Sequence, residues 1–322
     1  MQNNQIKGYI YAALSSSTFG LAPFFTISLL TAGFSSFEVL AYRWGIASLS
    51  LALFGMMLKE TFRIGRKDWG AVFLLSLLRA ATSFSLVIAY QHIASGVAST
   101  IHFMYPLAVA LAMMLLFGEK KSFSVLFAVS ISLIGAGLLS SGEMNGNNGN
   151  STIGMTAAIL SLFFYAGYII GVRKSRATHI PSTALTCYVM GLGALFFIIG
   201  GFLTGGIRLA TDGHTWLNIL GLALPATAIS NITLVKAIKH VGPTLTSIFG
   251  ALEPLTAVAI GYSVFHESFT PASAIGIVLI LTAVTIVVIQ PLCQRLTVGT
   301  DDKAALVKGI LDIAQLHKHG RR

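Results

Sequence analysis

Charged residues are scarce in this chain of 322 residues, and their scarcity decides its class. Only 10% of the residues are charged and 55% are hydrophobic, with a mean hydropathy of +0.79. A soluble domain carries about 25% charged residues, so this chain has too little polar side chain to cover a water-facing surface. The composition therefore predicts a polytopic membrane protein and excludes a secreted scaffold and a disordered chain.

Several chemical signatures are also missing. The two cysteines, Cys187 and Cys293, lie too far apart in sequence to indicate a disulfide framework or a zinc site. The sequence contains no GxxxxGK[ST] run to hold nucleotide phosphates, no HExxH and no GxSxG elbow. We therefore expect no metal, no cofactor and no nucleotide-driven pump.

Apolar stretches of about 20 residues, the length that crosses a bilayer, recur along almost the whole sequence. Ten can be placed, at residues 8–30, 35–58, 69–91, 94–116, 122–141, 152–172, 183–204, 216–235, 243–265 and 270–291. The expected fold is therefore an all-α membrane protein with ten transmembrane helices.

The basic residues fall on alternate sides of these spans. With a cytoplasmic N-terminus, 18 of the 21 Lys and Arg residues lie on the inner side, Arg208 alone lies outside, and Arg43 and Arg79 lie within spans. Positive loops mark the cytoplasmic face. The charges therefore predict an even number of spans and both termini in the cytoplasm; they do not indicate nucleic-acid binding.

The chain repeats itself. A shift of 148 residues aligns 89–119 with 237–267 without a gap. Seven of 31 positions are then identical: Ala89/Ala237, His92/His240, Ser99/Ser247, Pro106/Pro254, Leu107/Leu255, Phe117/Phe265 and Glu119/Glu267. Because each unit holds five spans, the second copy must enter the membrane from the opposite face. We expect two inverted repeats, 1–141 and 152–291, joined by a polar linker at 142–151.

The last part of the chain, 292–322, is polar and basic. Val307, Ile310, Leu311 and Ala314 fall on one face at helical spacing. This pattern predicts an amphipathic helix on the anionic lipids of the inner leaflet, with a disordered tail or a partner-binding segment as alternatives.

The doubled pattern resembles the drug/metabolite transporter superfamily, in particular its EamA-type members. Each half has a proline-centred span followed by an acidic residue, in Gly96–Glu119 and Thr244–Glu267. Arg43 also looks like the family pattern. The chain departs from the pattern at Phe19 and Gly20, where the family often has Trp-Gly, and has no second arginine near Tyr188. The resemblance implies a ten-helix secondary transporter, often an exporter of small metabolites or amino acids.

Ionisable residues inside a span cost about 2.5 to 3.5 kcal/mol at the helix centre, which singles out Arg79 and Glu253. Arg79 cannot lose its proton and needs a carboxylate, helix-end carbonyls or a substrate anion. One hypothesis is that an amino acid engages both groups; the alternative is a fixed salt bridge between them. Glu253 is expected to act as counter-charge for a cationic group or as a proton carrier, or to be a structural partner of an arginine.

The repeat places other polar groups at the same depth as Glu253. Tyr105 and Pro106 correspond to Glu253 and Pro254, and His102 lies one helical turn before Pro106. Both prolines leave a carbonyl of the preceding turn unpaired, so they are expected to break or gate their helices. His102 is expected to contact substrate or to hydrogen-bond a neighbouring helix.

Three more sets of residues are assigned from the sequence. Arg43, between Tyr42 and Trp44, is expected at the outer interface, as an aromatic-belt residue that reaches headgroups or as a gate. Ser83 and its repeat partner Asn231 are expected to bind substrate or to hydrogen-bond another helix. Aromatic residues expected in the cavity wall are Phe19, Phe84, Tyr90, Tyr165, Tyr168 and Phe249.

Two functions follow from this pattern. The first is a secondary transporter that exports small amphipathic metabolites, amino acids foremost, through a midplane cavity bounded by the third, fourth, eighth and ninth spans. A proton is a candidate coupling ion, and a monomer and a homodimer are both open. The alternative is an intramembrane enzyme acting on a lipid-linked substrate, with His102 and Glu253 as acid and base.

Overall fold

The computed structural model describes residues 2–93, 95–119, 122–140, 150–250, 252–253, 255–256, 271–272, 274–283 and 285–286. These residues form helices, turns and loops, with no β-strand among them. The helices are α1 (Gln2–Phe19), α2 (Ala22–Thr31), α3 (Ser36–Met57), α4 (Trp69–His92), α5 (Ser95–His102), α6 (Tyr105–Leu116), α7 (Phe123–Ser140), α8 (Ser151–Lys174), α9 (Ser182–Thr204), α10 (Gly213–Ala223), α11 (Ser230–Val241) and α12 (Pro243–Phe249). A further apolar helix, α13, spans Ala274–Ala283.

The predicted membrane class is confirmed. Six helical segments of the described chain are long and apolar enough to cross a bilayer: Asn4–Thr31, Ser36–Met57, Trp69–His92, Ser151–Lys174, Ser182–Thr204 and Gly213–Val241. Shorter apolar helices occupy the places of the expected fourth, fifth and tenth spans. The ninth span is described only as far as residue 256, so the count of ten extends beyond the described residues.

Parts of the sequence-based organisation fall outside the description. The expected linker is described only at Asn150 and Ser151, and the amphipathic segment at 292–322 lies outside the described residues, as does Pro254. Where the second half begins, Asn150 caps α8 by accepting from the backbone N–H of Thr152 and Ile153 at 3.0 and 3.3 Å. Such a cap satisfies donors that the first helical turn leaves unpaired.

Proline interrupts two of the spans. The first span changes from α1 to α2 at residues 20–21, with Pro23 in the first turn of α2. The fourth changes from α5 to α6 at residues 103–104, with Pro106 in the first turn of α6. Proline lacks an N–H and crowds the carbonyl four residues earlier, so it is tolerated in the first turn of a helix but not in its interior. Each of these spans consequently consists of two helices joined by two non-helical residues.

The eighth span is irregular in a different way. Residues Leu224–Ile229 form one π-helical turn between α10 and α11, and this turn contains Pro225. π-Helical turns are rare and are found mostly as insertions within α-helices, frequently at functional sites. All three irregularities lie within spans rather than at their ends.

The helices pack as a bundle with an apolar exterior. α3 packs on α9, α4 on α8, α1 on α11, and α6 on α12. Large apolar side chains point outward, and Met57, Leu116 and Leu203 are 82, 76 and 81% exposed. Lipid tails are as apolar as leucine, so this exterior suits a bilayer.

Small residues permit the close approach of α3 and α9. The Trp44 side chain is fully buried, and a Cβ added at Gly193 would overlap its ring. We expect Gly193→Ala to destabilise the protein by about 1–3 kcal/mol, the usual cost of overpacking a filled interior. Thermal unfolding of the purified protein in detergent measures this loss. The matched control is Gly45→Ala on α3, where a Cβ meets nothing within 4 Å; equal Tm values for the two variants would contradict the prediction.

Candidate functional site

Arg79, near the middle of α4, is the centre of the candidate site. It is 1% exposed. Its Nε donates to Asn231 Oδ1 at 2.9 Å and its Nη1 to Ser83 Oγ at 3.4 Å. The bond to Asn231 joins α4 to α11, whereas Ser83 lies one turn further along α4 itself. Both oxygens are neutral, so they orient the guanidinium without cancelling its charge.

Aromatic rings enclose the same guanidinium. Its Cζ lies 5.3 Å from the ring centroid of Phe19, 4.9 Å from that of Tyr165 and 5.8 Å from that of Tyr168. A cation within about 6 Å of an aromatic face is attracted by the ring quadrupole, by about 2 kcal/mol or more when desolvated. Three rings from α1 and α8 therefore stabilise a charge that the bilayer alone would exclude.

Arg43 belongs to this site rather than to the membrane interface, which corrects the aromatic-belt interpretation. It is 4% exposed, donates from Nε to Thr227 Oγ1 at 2.7 Å and places its Cζ 5.5 Å from the Phe19 ring centroid. Its Nη2 is buried without a hydrogen-bond partner. Trp44, expected in the same belt, is 1% exposed and packs edge-on against Phe197. The face of α3 that carries Arg43 and Trp44 is therefore directed toward the other helices.

The π-helical turn of the eighth span holds both arginines. Thr227 lies within the turn and donates its hydroxyl to Leu222 O at 2.7 Å, which leaves its oxygen to accept from Arg43. Asn231 donates Nδ2 to Thr227 O at 2.8 Å, which leaves Oδ1 to accept from Arg79. A π-helical turn changes the hydrogen-bond pairing of the backbone carbonyls. Here Leu222 O and Thr227 O accept from the side chains of Thr227 and Asn231. These bonds orient the two side chains that accept from Arg43 and Arg79.

Glu253 and Tyr105 form the second part of the site. Tyr105 donates its hydroxyl to Glu253 Oε1 at 3.3 Å, while the buried Oε2 has no hydrogen-bond partner. The Tyr105 ring packs edge-on against Tyr165, with centroids 4.6 Å apart, and Tyr165 in turn covers Arg79. Within the described residues Arg79 and Glu253 form no ion pair. The fixed salt bridge considered from sequence is therefore absent from this structure, although both groups contact one aromatic cluster.

His102 lies on the other side of Tyr165. Its ring stacks on Tyr165 with centroids 5.3 Å apart, and its Nδ1 lies 2.9 Å from Ser161 Oγ on α8. The Ser161 hydroxyl donates to Ala158 O at 2.7 Å, so the histidine Nδ1 is assigned as the donor to Ser161. His102 Nε2 is then an acceptor, and it is buried without a partner.

A small cavity opens beside the two arginines. Its volume is about 10 Å³, the room that one water molecule needs. It is lined by Phe19, Ala22, Pro23, Thr26, Arg43, Arg79, Thr82, Ser83, Leu86, Val87 and Tyr90. As described, this cavity has room for a water molecule but not for a metabolite, so binding of a metabolite there requires the lining helices to move apart.

The structure brings most of the sequence-predicted site residues together. One connected cluster contains Phe19, Arg43, Arg79, Ser83, His102, Tyr105, Tyr168, Asn231 and Glu253. Pro106 lies next to Tyr105 at the interruption of the fourth span. Two expected wall residues lie elsewhere: Phe84 packs between Phe37 and Phe197, and Phe249 stacks on Tyr9. The cluster reaches the first, second and sixth spans as well as the four that the sequence analysis named.

Sequence reasoning missed Thr227 and Ser161. A signal for Thr227 was present, because the 148-residue shift carries Arg79 onto Thr227 just as it carries Ser83 onto Asn231. Ser161 had no such signal, since serines are common in these spans and only the fold places it against His102. No group of three potential metal ligands occurs in the part of the chain that the structure describes.

These features define a class of protein: a multi-pass membrane protein whose buried charges meet where its spans lose regular helical geometry, as they do in transporters. The particular family follows from comparison with known proteins. The model of the EamA-like transporter family matches residues 6–141 and 152–289, so the chain belongs to this family. It is therefore a transporter and not an enzyme, which removes the alternative of an intramembrane acid–base catalyst.

Individual relatives agree with this assignment. An uncharacterized transporter of Archaeoglobus fulgidus is 27% identical over 236 residues, which are 73% of this chain and 81% of the relative. An uncharacterized transporter of Bacillus subtilis is 28% identical over 283 residues, 83% of this chain and 89% of the relative. A protein of known crystal structure superposes with a TM-score of 0.73 at 18% identity, over 88% of this chain and 97% of the other, which shows a shared fold alone.

Proposed function

We propose that this protein is a secondary active transporter that exports small amphipathic metabolites, amino acids or related compounds, across the inner membrane by alternating access. The observation that carries the proposal is the buried cluster around Arg79. Its side chains come from both halves of the sequence, and polar atoms of Arg43, His102, Tyr168 and Glu253 are buried in it without partners. Buried polar groups are normally hydrogen-bonded, and a polar substrate supplies such partners.

Alternating access requires two halves that move against each other, and several contacts support inverted repeats. The third span packs on the sixth (α4 on α8), and the eighth packs on the first (α11 on α1). A pseudo-two-fold axis that relates the repeats turns the first of these pairs into the second, because the third span corresponds to the eighth and the sixth to the first. The second packs on the seventh and the fourth on the ninth, as partners across that axis do. The two segments that match the family model, 6–141 and 152–289, have nearly equal length.

Residues related by the 148-residue shift also meet in the site. Tyr105 hydrogen-bonds its counterpart Glu253. Ser83 and its counterpart Asn231 both accept from Arg79. Equivalent residues can contact each other only near a symmetry axis, so these bonds support an axis through the cluster. A substrate there touches both halves and can bias their relative position.

Contacts at the two ends of the bundle are candidate gates. At the expected outer end, Arg208 Nε lies 3.3 Å from Glu38 Oε1, and the Arg208 side chain also donates to Gly33 O. At the expected inner end, Thr244 donates its hydroxyl to Glu119 Oε2 at 2.5 Å, which ties α12 to the loop after α6. In the proposed cycle the outer contact breaks when the cavity opens outward and the inner contact breaks when it opens inward.

Transport is tested by counterflow. Proteoliposomes containing the full chain are loaded with an unlabelled metabolite and diluted into a trace of the same labelled compound. Candidate compounds come from metabolites that are enriched in the medium of overexpressing cells relative to deletion cells. We expect transient accumulation of label at least about tenfold above empty liposomes. If no enriched metabolite shows counterflow, the proposal fails.

The orientation of the halves is tested by labelling single cysteines. In a Cys187→Ser, Cys293→Ser background, we expect an impermeant maleimide applied to intact cells to label His92→Cys but not His240→Cys, because the repeats are inverted. After the cells are lysed, both positions should react, which controls for side-chain access. Labelling of both cysteines from the outside would place these two turns on one face and overturn the inverted arrangement.

A further inference from the structure

The charge balance of the cluster carries information about the substrate. Arg43 and Arg79 are 4% and 1% exposed, and both lie over the ring of Phe19, at 5.5 and 5.3 Å. In the described part of the chain, the ion pair that forms is Arg208 with Glu38. Two buried cations therefore share one aromatic ring, and no described carboxylate lies within ion-pair distance of either.

Neutral groups compensate these charges only in part. Asn231, Ser83 and Thr227 supply oxygen acceptors to the guanidinium groups, and the aromatic faces add their quadrupoles. Two like charges at close quarters in a low-dielectric interior still repel each other. A guanidinium cannot relieve the repulsion by losing its proton. A bound anion removes the repulsion, and Arg43 Nη2, buried without a partner beside the cavity, is an available donor.

The position of Glu253 bears on whether the site favours an anionic or a zwitterionic substrate. Glu253 is hydrogen-bonded to Tyr105 and forms an ion pair with neither arginine among the described contacts. An α-amino acid carries its ammonium group one carbon away from its carboxylate. If the carboxylate binds the two guanidinium groups, the ammonium comes close to the same two cations, which is unfavourable. A carboxylate without an amino group carries no such penalty.

The lining of the cavity points to the rest of the substrate. Beside the arginines lie hydroxyls of Thr26, Thr82 and Ser83, and apolar surface of Phe19, Leu86 and Val87. Apolar walls with few polar groups are typical of sites that take a hydrophobic body and orient one polar end. Inorganic phosphate has no apolar body to contact the apolar part of this lining.

We propose that Arg43, Arg79 and Phe19 form a binding site for an organic carboxylate with an apolar body, and that the site prefers this net anion to a zwitterionic amino acid. Arg43 and Arg79 bind the carboxylate through their N–H donors, and the ring of Phe19 stabilises both cations. The inference rests on the proposed transport function and narrows it, because within the amphipathic metabolites it places organic acids ahead of amino acids.

The test is a series of probes that share one body and differ in charge. Binding of 3-phenylpropanoate, L-phenylalanine and 3-phenylpropylamine to the purified full-length protein is measured at pH 7 by calorimetry, with inorganic phosphate as a fourth probe. We expect 3-phenylpropanoate to bind at least about tenfold more tightly than each of the other three. Equal or tighter binding of L-phenylalanine overturns the proposal, as does tighter binding of phosphate or the absence of any binding to folded protein.

Variants assign the binding to the site. Arg43→Gln should weaken 3-phenylpropanoate binding at least about tenfold, whereas Arg66→Gln, which removes an exposed arginine between the second and third spans, should leave it unchanged. An unchanged affinity in Arg43→Gln overturns the assignment. If Arg43→Gln does not fold, Arg43→Lys takes its place, and the ranking of probes on the unaltered protein still decides the charge preference.

Failure of this inference is distinguishable from failure of the transport proposal. Counterflow of an amino acid together with a reversed probe ranking rejects the anion site and leaves the transporter. If the probes bind in the expected order but no compound shows counterflow, the transport proposal fails and the anion site stands.

Discussion

Replacing Arg79 by leucine is expected to abolish transport, by about 100-fold or more, while the protein remains folded. Arg79 is the only residue that contacts Asn231, Ser83 and the rings of Phe19, Tyr165 and Tyr168 at once in the described structure. In the proposed complex Arg79 pairs with the anionic group of the substrate; truncating one partner of a buried charge pair costs about 2–5 kcal/mol, and each 1.4 kcal/mol is a factor of ten. Initial rates of counterflow in proteoliposomes measure the loss.

Stability should change little or even increase in this variant. Removing one partner of a buried ion pair is destabilising because it leaves an uncompensated charge, but the described partners of Arg79 are neutral, and leucine would pack against three aromatic rings. Elution from size exclusion and the Tm in detergent therefore separate loss of function from loss of fold. Arg79→Lys, which keeps the charge but lacks the Nε that bonds Asn231, should retain an intermediate rate. Normal transport in folded Arg79→Leu would remove this residue from the mechanism.

Neutralising Glu253 is expected to uncouple transport from a proton gradient. Glutamine at this position keeps an acceptor for the Tyr105 hydroxyl, which now bonds Oε1 at 3.3 Å, but it cannot gain or lose a proton. If Glu253 is the proton carrier, Glu253→Gln should lose uphill transport driven by a pH gradient, by about 100-fold, and keep counterflow within about threefold. The physical reason is that counterflow needs the substrate site and the conformational change, whereas uphill transport also needs a titrating group.

The matched control for this prediction is Glu60→Gln, which removes a carboxylate outside the candidate spans and should leave both activities unchanged. Loss of both activities in Glu253→Gln would instead assign Glu253 as the counter-charge of a cationic substrate group. Full gradient-driven transport in the variant would exclude Glu253 from coupling altogether.

The two predictions concern Arg79 and Glu253, which the sequence suggested act as a pair but which have different partners in the structure. From sequence, opposite charges at similar depth indicated either an amino acid held between Arg79 and Glu253 or a fixed salt bridge between them. In the structure each has a different neutral partner: Asn231 for the arginine, and Tyr105 for the glutamate. In the proposed mechanism this separation lets the arginine bind an anion while Glu253 carries the proton.

Arg43 shows most clearly what the sequence left undecided. Its aromatic neighbours Tyr42 and Trp44 are typical of a membrane interface, and hydropathy could not exclude that position. The structure instead buries Arg43 against Phe19 and Thr227. A charged residue near the end of a span can either reach the headgroups or turn inward, and only the rotation of α3 about its axis distinguishes the two.

The sequence by itself determined that the protein lies in a membrane, and it indicated the family. Too few charges for water, apolar stretches of bilayer length and the paired proline motifs were sufficient for these, and the 148-residue shift already related Tyr105 to Glu253 and Ser83 to Asn231. Only the tertiary structure decided which faces of the helices meet, and hence the partners of Arg79, the inward position of Arg43 and the π-helical turn that anchors both. The reason is physical: lipid and the interior of the bundle are both apolar, so hydropathy locates a span but carries little information about its rotation.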